Sequence, residues 1–141
     1  MTTSLRGLSV LIVENEFIIG MMLSAEIVRA GGTSIGPVTS VVDALEQIAS
    51  RIVHAAILGA KLADGSSVVV ARCLKERRIP YVVFSGYDSA TLPRELRDAP
   101  FVAKPISVPL LIETLGRLSA GVRGGLRGPS ALPNMAAPGD L

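Results

Sequence analysis

Short aliphatic runs alternate with longer stretches of helical periodicity along this 141-residue chain, and no other feature constrains the fold as strongly. The runs predicted to be strands cover residues 10–13, 34–38, 55–58, 79–84 and 101–103. Strands separated by helices are joined by crossovers, which favour parallel pairing with helices on both faces. The sequence therefore predicts an α/β domain built on a five-stranded parallel sheet. Gly36 and Pro37 place the second strand at an edge of that sheet.

The predicted helices have recognisable ends. They cover residues 16–30, 40–50, 66–75 and the stretch from 107 onward. Gly31 and Gly32 close the first helix, because glycine accepts the left-handed backbone found at helix C-termini. Ser40 and Ser107 are placed to cap the second and last helices through their hydroxyl groups.

Composition excludes several classes of protein. Hydrophobic residues make up 49% of the chain and charged residues 18%, as in a globular domain. The net charge of +2 is too small to indicate nucleic-acid binding, and no apolar run is long enough to predict a membrane span. Cys73 is the only cysteine, so no internal disulfide can form. The first six residues do not resemble a signal peptide, so a cytoplasmic location is expected.

Composition changes after about residue 120, which divides the chain into a domain over 1–120 and a tail over 121–141. The tail is rich in glycine and proline: Gly121, Gly124, Gly125, Gly128, Pro129, Pro133, Pro138 and Gly139. Such a segment is typical of a linker or an extended arm. Leu126, Leu132 and Met135 are irregularly spaced, which favours an arm over a helix. We expect the arm to cross onto a second copy and form a homodimer, with docking on its own domain as the alternative.

Residues at the strand ends are the candidates for function, since open α/β sheets bind ligands at the carboxyl ends of their strands. These positions hold Glu14 and Asn15, Gly59, Ser85 and Lys104. The segments around them resemble the receiver domains of bacterial two-component systems over about residues 7–119. The segments are VLIVENE from Val10, AILGAKLADG from Ala56, VVFSGY from Val82 and FVAKP from Phe101. The resemblance implies a flavodoxin-like fold of five βα units, doubly wound, and a stand-alone response regulator.

The resemblance also assigns roles to these positions. In the family, an acidic pair after the first strand and an Asp ending the third hold Mg²⁺, and that Asp accepts a phosphoryl group. Glu14 and Asn15 correspond to the acidic pair, and Gly59 corresponds to the acceptor. The corresponding switch residues are Ser85, Phe101, Lys104 and Pro105. In the family the first helix helps to bind the kinase, so the candidate partner-binding residues are Phe17, Ile18, Met21, Met22 and Tyr87.

The chain departs from the family at the acceptor, and this departure decides the expected chemistry. Gly59 has no side chain to attack phosphorus, and Asn15 replaces a carboxylate by a neutral amide. Mg²⁺ binding is therefore expected to be weak or absent, with no cofactor and no enzymatic activity. We expect Lys104 to contact Glu14 or Asn15 instead of a metal. The chain is predicted to signal by phosphorylation-independent binding to a sensor histidine kinase or another signalling protein.

The sequence is also compatible with other functions. Gly59 could be an introduced substitution that abolishes phosphorylation in an ordinary receiver. A flavodoxin-like nucleotide or flavin binder is a further alternative, although the segment from Glu14 to Glu16 lacks the glycines of a phosphate-binding loop. Asp64, which precedes Gly65, is expected to cap the following helix rather than replace the acceptor.

Overall fold

The structure is a computed structural model that describes residues 4–85, 92–103 and 108–126. The strands are β1 (Ser9–Val13), β2 (Thr33–Val38), β3 (Ala55–Leu58), β4 (Lys61–Leu62), β5 (Gly65–Ser66), β6 (Tyr81–Ser85) and β7 (Phe101–Ala103). The helices are α1 (Phe17–Arg29), α2 (Val41–Ser50), α3 (Val68–Glu76), α4 (Arg94–Arg97) and α5 (Val108–Leu126). The five predicted strands form one sheet in the order β2-β1-β3-β6-β7, and all of its pairings are parallel. The predicted α/β architecture is confirmed.

The central strands are buried on both faces, which explains their continuous aliphatic sequences. Side chains alternate between two cores as the strand pleat requires. One core packs α2 and α3 against the sheet and includes Leu11, Val13, Ile48, Leu58, Leu74 and Val83. The other packs α1 and α5 against the opposite face and includes Val10, Ile12, Ile27, Ile57, Phe84 and Leu115. Because β1 sends apolar side chains to both faces of the sheet, both faces must be covered by helices, which gives the doubly wound arrangement.

β2 lies at the edge of the sheet, as the sequence predicts. Gly36 has a φ of +93°, the Gly36–Pro37 peptide bond is cis, and the pairing with β1 shifts register between Leu11 and Val13. The shift brings Pro37 against α1. A Cβ placed on Gly20 would lie 2.6 Å from the Pro37 Cβ, so α1 can pack this closely against Pro37 only because residue 20 is glycine.

Three features differ from the sequence-based expectations. An antiparallel hairpin of β4 and β5 follows β3 where a loop and the start of a helix are predicted. The short helix α4 is not predicted at all. α5 continues to Leu126, six residues beyond the predicted domain boundary. Each glycine in a helix costs only about 1 kcal/mol, so a helix begun on a buried apolar face can pass through several of them.

Candidate functional site

The candidate site lies where β1, β3 and β6 end side by side. Val13 pairs with Leu58, and Leu58 pairs with Val83, so the residues that follow these strands meet at one edge of the sheet. The Gly59 N–H donates to the Val13 carbonyl at 2.8 Å, which brings the backbone of residue 59 beside Glu14. Three predicted site positions are thereby brought to one edge of the sheet, because Ser85 is the last residue of β6.

Glu14 is buried, with only 1% of its surface exposed. Its backbone N–H donates to the Val38 carbonyl at 2.9 Å, and its Oε2 accepts the Glu16 backbone N–H at 2.9 Å. These two bonds hold the residue between β1, β2 and the start of α1. The Glu14 side chain is therefore held in one place inside the site, whereas a solvent-exposed glutamate would be free to move.

Gly59 leaves the space beside this carboxylate without a side chain. A Cβ placed on Gly59 would lie 3.2 Å from Oε1 of Glu14, 3.7 Å from its Cδ and 3.4 Å from the Val13 carbonyl oxygen. A contact of 3.2 Å is tighter than ordinary van der Waals contact. The Glu14 carboxylate therefore lies beside the point where the side chain of an acceptor residue would begin.

The side chains at this edge do not match what Mg²⁺ requires, namely oxygen ligands from one or two carboxylates with phosphate or water. Gly59 offers no ligand, Asn15 is exposed and neutral, and Oε2 of Glu14 already accepts a hydrogen bond. Among the residues that the structure describes, no group of three or more His, Cys, Asp or Glu side chains could hold a metal ion. Ser85 is buried, with 3% of its surface exposed.

Comparison with solved structures identifies the fold. A sensor protein from Polaromonas sp. JS666 is 27% identical, with a TM-score of 0.72 over 82% of this chain and 98% of that one. SdrG from Sphingomonas melonis Fr1 is 32% identical, with a TM-score of 0.69 over 84% and 98%. A CheY-like response-regulator receiver domain from Methylobacillus flagellatus is 23% identical, with a TM-score of 0.68 over 79% and 98%.

This chain has the receiver fold. The flavodoxin-like α/β arrangement implied by the sequence resemblance is confirmed with it. The sequence matches no family model, and no curated protein matches it either. None of the helices in the described part of the chain is long and apolar enough to cross a membrane.

The receiver's first helix, α1, exposes several large apolar side chains on the side away from the core. Gly20, Leu23 and Ile27 face the core. The exposed fractions on the other side are 56% for Phe17, 77% for Ile18, 50% for Met21 and 54% for Met22. These four residues are called the α1 surface below. Its exposure shows that the apolar residues of α1 exceed a single core-facing stripe.

For four predicted site residues, the structure does not describe the whole residue. Tyr87, Lys104 and Pro105 lie outside the described residues, and so does the predicted contact between Lys104 and Glu14. The backbone of Phe101 pairs with Val83 in the receiver sheet, but its side chain is not among those described.

Asp64 caps a different helix from the one predicted. Its carboxylate accepts the backbone N–H groups of Val41 at 2.6 Å and Val42 at 3.3 Å, so it caps α2 and not the following helix, α3. The Ala63 N–H also donates to the Thr39 carbonyl at 2.9 Å, which fixes the β4–β5 hairpin on the start of α2. The hairpin turns Asp64 back toward α2, and this cannot be foreseen from positions 22 and 23 residues apart in the sequence.

The Asp64 cap predicts a pH-dependent contribution to stability. The hydrogen bond from the Val41 N–H lowers the pKa of Asp64 below its ordinary value. A carboxyl whose pKa is lowered by folding stabilises the fold above its unfolded pKa of about 3.9, and this contribution disappears as the pH falls through the lower folded value. We expect Asp64→Ala to melt at a lower temperature than the native chain at pH 6, with the gap narrowing below about pH 4.

Calorimetry at pH 6 and pH 3 tests this prediction. Asp64→Asn is the matched control, because it keeps an oxygen acceptor and removes only the charge. Its melting temperature at pH 6 should fall less than that of Asp64→Ala. An equal melting gap for Asp64→Ala at both pH values would show that the carboxylate charge contributes nothing at this helix end.

Proposed function

We propose that this chain is a single-domain response regulator of two-component signal transduction that binds its partners without being phosphorylated. One observation carries the proposal: Gly59 stands at the acceptor position, and the Glu14 carboxylate lies 3.2 Å from where its Cβ would be. The position itself has no nucleophile, and the carboxylate beside it belongs to Glu14. The protein then has no catalytic turnover and needs no Mg²⁺ for its role.

The α1 surface is the proposed site for a sensor histidine kinase or another signalling protein. Its methionines are flexible and polarisable, and such side chains suit adaptable interfaces. Phe17 and Ile18 add apolar area beside the candidate site, since α1 begins three residues after Glu14. An apolar cluster of this kind on a helix is a common docking element for a partner helix.

Charge substitution on the α1 surface tests the proposed binding. Ile18→Glu is expected to weaken binding of the unphosphorylated chain to the cytoplasmic parts of sensor histidine kinases by at least about tenfold, because it places a charge inside an apolar interface. Val42→Glu is the matched control, since Val42 is 67% exposed on α2, which packs on the other face of the sheet. Equal affinities for Ile18→Glu and the native chain, measured by calorimetric titration, would contradict the proposed surface.

We further propose that two copies form a homodimer through exchanged tails. α5 ends at Leu126, and its residue Leu115 shares a core with Ile27 of α1. The remaining fifteen residues can span up to about 50 Å, more than the roughly 20 Å length of α1. Leu132 and Met135 supply apolar side chains for the α1 surface of the other copy. A kinase that binds the same surface would displace the tail.

Light scattering on the full chain and on a truncation after Leu126 tests the exchange. The full chain should be a dimer and the truncated chain a monomer, because the tail supplies the apolar contacts across the interface. Leu132→Ser combined with Met135→Ser should weaken the dimer without shortening the chain. A full-length monomer, or a dimer equally tight without its tail, would exclude the exchange.

A further inference from the structure

A cavity of about 320 Å³ lies at the edge of the sheet where β6 and β7 begin. The candidate site lies at the opposite edge, because all five strands are parallel and Glu14 and Gly59 follow strand ends. The ends of α3 and α4 and the side of α5 surround the cavity, and no residue of the α1 surface lines it. Its volume suffices for a small ligand, since ligand pockets begin at about 300 Å³.

The walls of the cavity are mostly apolar, and several of their polar groups are already used. The apolar lining residues are Ile79, Pro80, Tyr81, Ala99, Pro100 and Leu118. The two prolines have no N–H to donate, and their carbonyls accept the N–H groups of Ala56 at 3.1 Å and Val83 at 2.8 Å. The Tyr81 hydroxyl donates to the Glu95 carbonyl at 2.9 Å. These walls therefore favour a hydrocarbon body over a polar one.

The charged side chains of the lining are Lys75, Arg78 and Asp98. In the part of the chain that the structure describes, neither of the two cations forms a side-chain hydrogen bond or an ion pair. Glu95 lies within the field of Lys75, but its carboxylate is paired with Arg72 at 2.9 Å. Two cations against one carboxylate leave the lining with an excess of positive charge, which an anionic group would complement.

The backbone of Arg78 is a second and independent sign of function. Among the described residues other than glycine, only Arg78 has a positive φ, +58°. It follows the end of α3, where its N–H donates to the Lys75 carbonyl at 3.0 Å and the Ile79 N–H donates to the Leu74 carbonyl at 2.9 Å. Glycine is the usual residue at such a helix end, because a Cβ strains the left-handed backbone. A strained residue that also lines a cavity indicates a role beyond folding.

We propose that this cavity binds a small amphipathic anion, a carboxylate with an apolar body. The body lies against the apolar walls, and the carboxylate lies at Lys75 and Arg78. The competing occupant is the tail, because α5 continues from Leu118 to Leu126 and the tail begins about 12 Å beyond the cavity. The proposal does not depend on phosphorylation or on the α1 surface, so either proposal can fail while the other stands.

Titration of the full chain with hexanoate, followed through the backbone amide NMR signals, tests the site. We expect shifts at Ile79, Tyr81 and Ala99 with a dissociation constant of about 1 mM, the affinity typical of so small a ligand. Hexanol has the same body without the charge, and hexylamine reverses the charge. Both should bind about fivefold more weakly or worse, the factor that one partly exposed ion pair supplies.

Arg78→Gly is the most informative variant, because it removes a cation and relieves the strained backbone together. It should weaken hexanoate binding about fivefold and also lower the unfolding equilibrium constant about fivefold. Lys75→Gln should weaken binding to a similar extent without relieving strain. Arg94→Gln is the matched control, since Arg94 is an exposed cation outside the lining; it should bind hexanoate as the native chain does.

Equal affinities for hexanoate and hexanol, or no shifts at the cavity residues, would overturn the proposal. Equal weakening by Arg94→Gln and Arg78→Gly would overturn it too, because the attraction would then belong to the basic surface in general. A less stable Arg78→Gly chain would give Arg78 a structural role instead. Hexanoate binding seen only after truncation at Leu126 would assign the cavity to the tail and exclude a small ligand as its occupant.

Discussion

Gly36→Ala is expected to lower the free energy of unfolding by about 3 kcal/mol or more, the sum of a strained backbone and a close contact. Gly36 has a φ of +93°, a region that side-chain-bearing residues rarely adopt. Its added Cβ would lie 2.8 Å from the Val38 nitrogen and 2.9 Å from the Ile12 carbonyl oxygen. Both neighbours are backbone atoms of the sheet, so neither can move aside without disrupting β2.

Gly7→Ala is the matched control. Gly7 also has a positive φ, +81°, but an added Cβ would meet nothing within 4 Å. Its cost should therefore reflect backbone strain alone, about 1 kcal/mol. Urea unfolding of the two variants separates strain from contact. Equal losses for Gly7→Ala and Gly36→Ala would show that the contacts at Gly36 relax without cost.

The effect at Gly36 reaches the proposed partner site through packing. The shift of β2 at Gly36 brings Pro37 against Gly20, and this contact positions α1 on the sheet. The α1 surface lies on the opposite side of the same helix, beginning at Phe17. A destabilised β2 edge should therefore also weaken partner binding.

Much of the fold could be predicted because it depends on local patterns. Aliphatic runs marked the strands, Gly36 and Pro37 marked the edge strand, and Gly31 marked the end of α1 with its φ of +95°. General rules for parallel sheets then predicted helices on both faces, and they also predicted that the positions of Glu14, Gly59 and Ser85 meet at the edge where the strands end.

The remaining features depend on contacts between distant residues, which no local pattern reports. Asp64 reads locally as a cap for the next helix, but the β4–β5 hairpin turns it to Val41. Glu14 is predicted only as an acid at a strand end, but its Oε2 accepts the Glu16 N–H and its Oε1 lies beside Gly59. The recognised side-chain bonds to the backbone two residues later involve Ser, Thr, Asn and Asp, so no local pattern indicates this bond for a glutamate.

Phosphorylation of the native chain is expected to be absent and not merely slower than in an ordinary receiver. The native chain lacks a nucleophile at position 59, and the Glu14 carboxylate lies beside that position. Gly59→Asp alone should remain poorly labelled, because Asn15 leaves the metal pair one carboxylate short. Gly59→Asp combined with Asn15→Asp should regain partial labelling, because the pair then holds two carboxylates again.

Intact-mass spectrometry after incubation with phosphoramidate and Mg²⁺ measures this directly, with an ordinary receiver domain treated in parallel as the positive control. The native chain should keep its unmodified mass while the control gains one phosphoryl group. A phosphoryl adduct on the native chain, mapped to Asp64 or to any other carboxylate, would contradict signalling without phosphorylation.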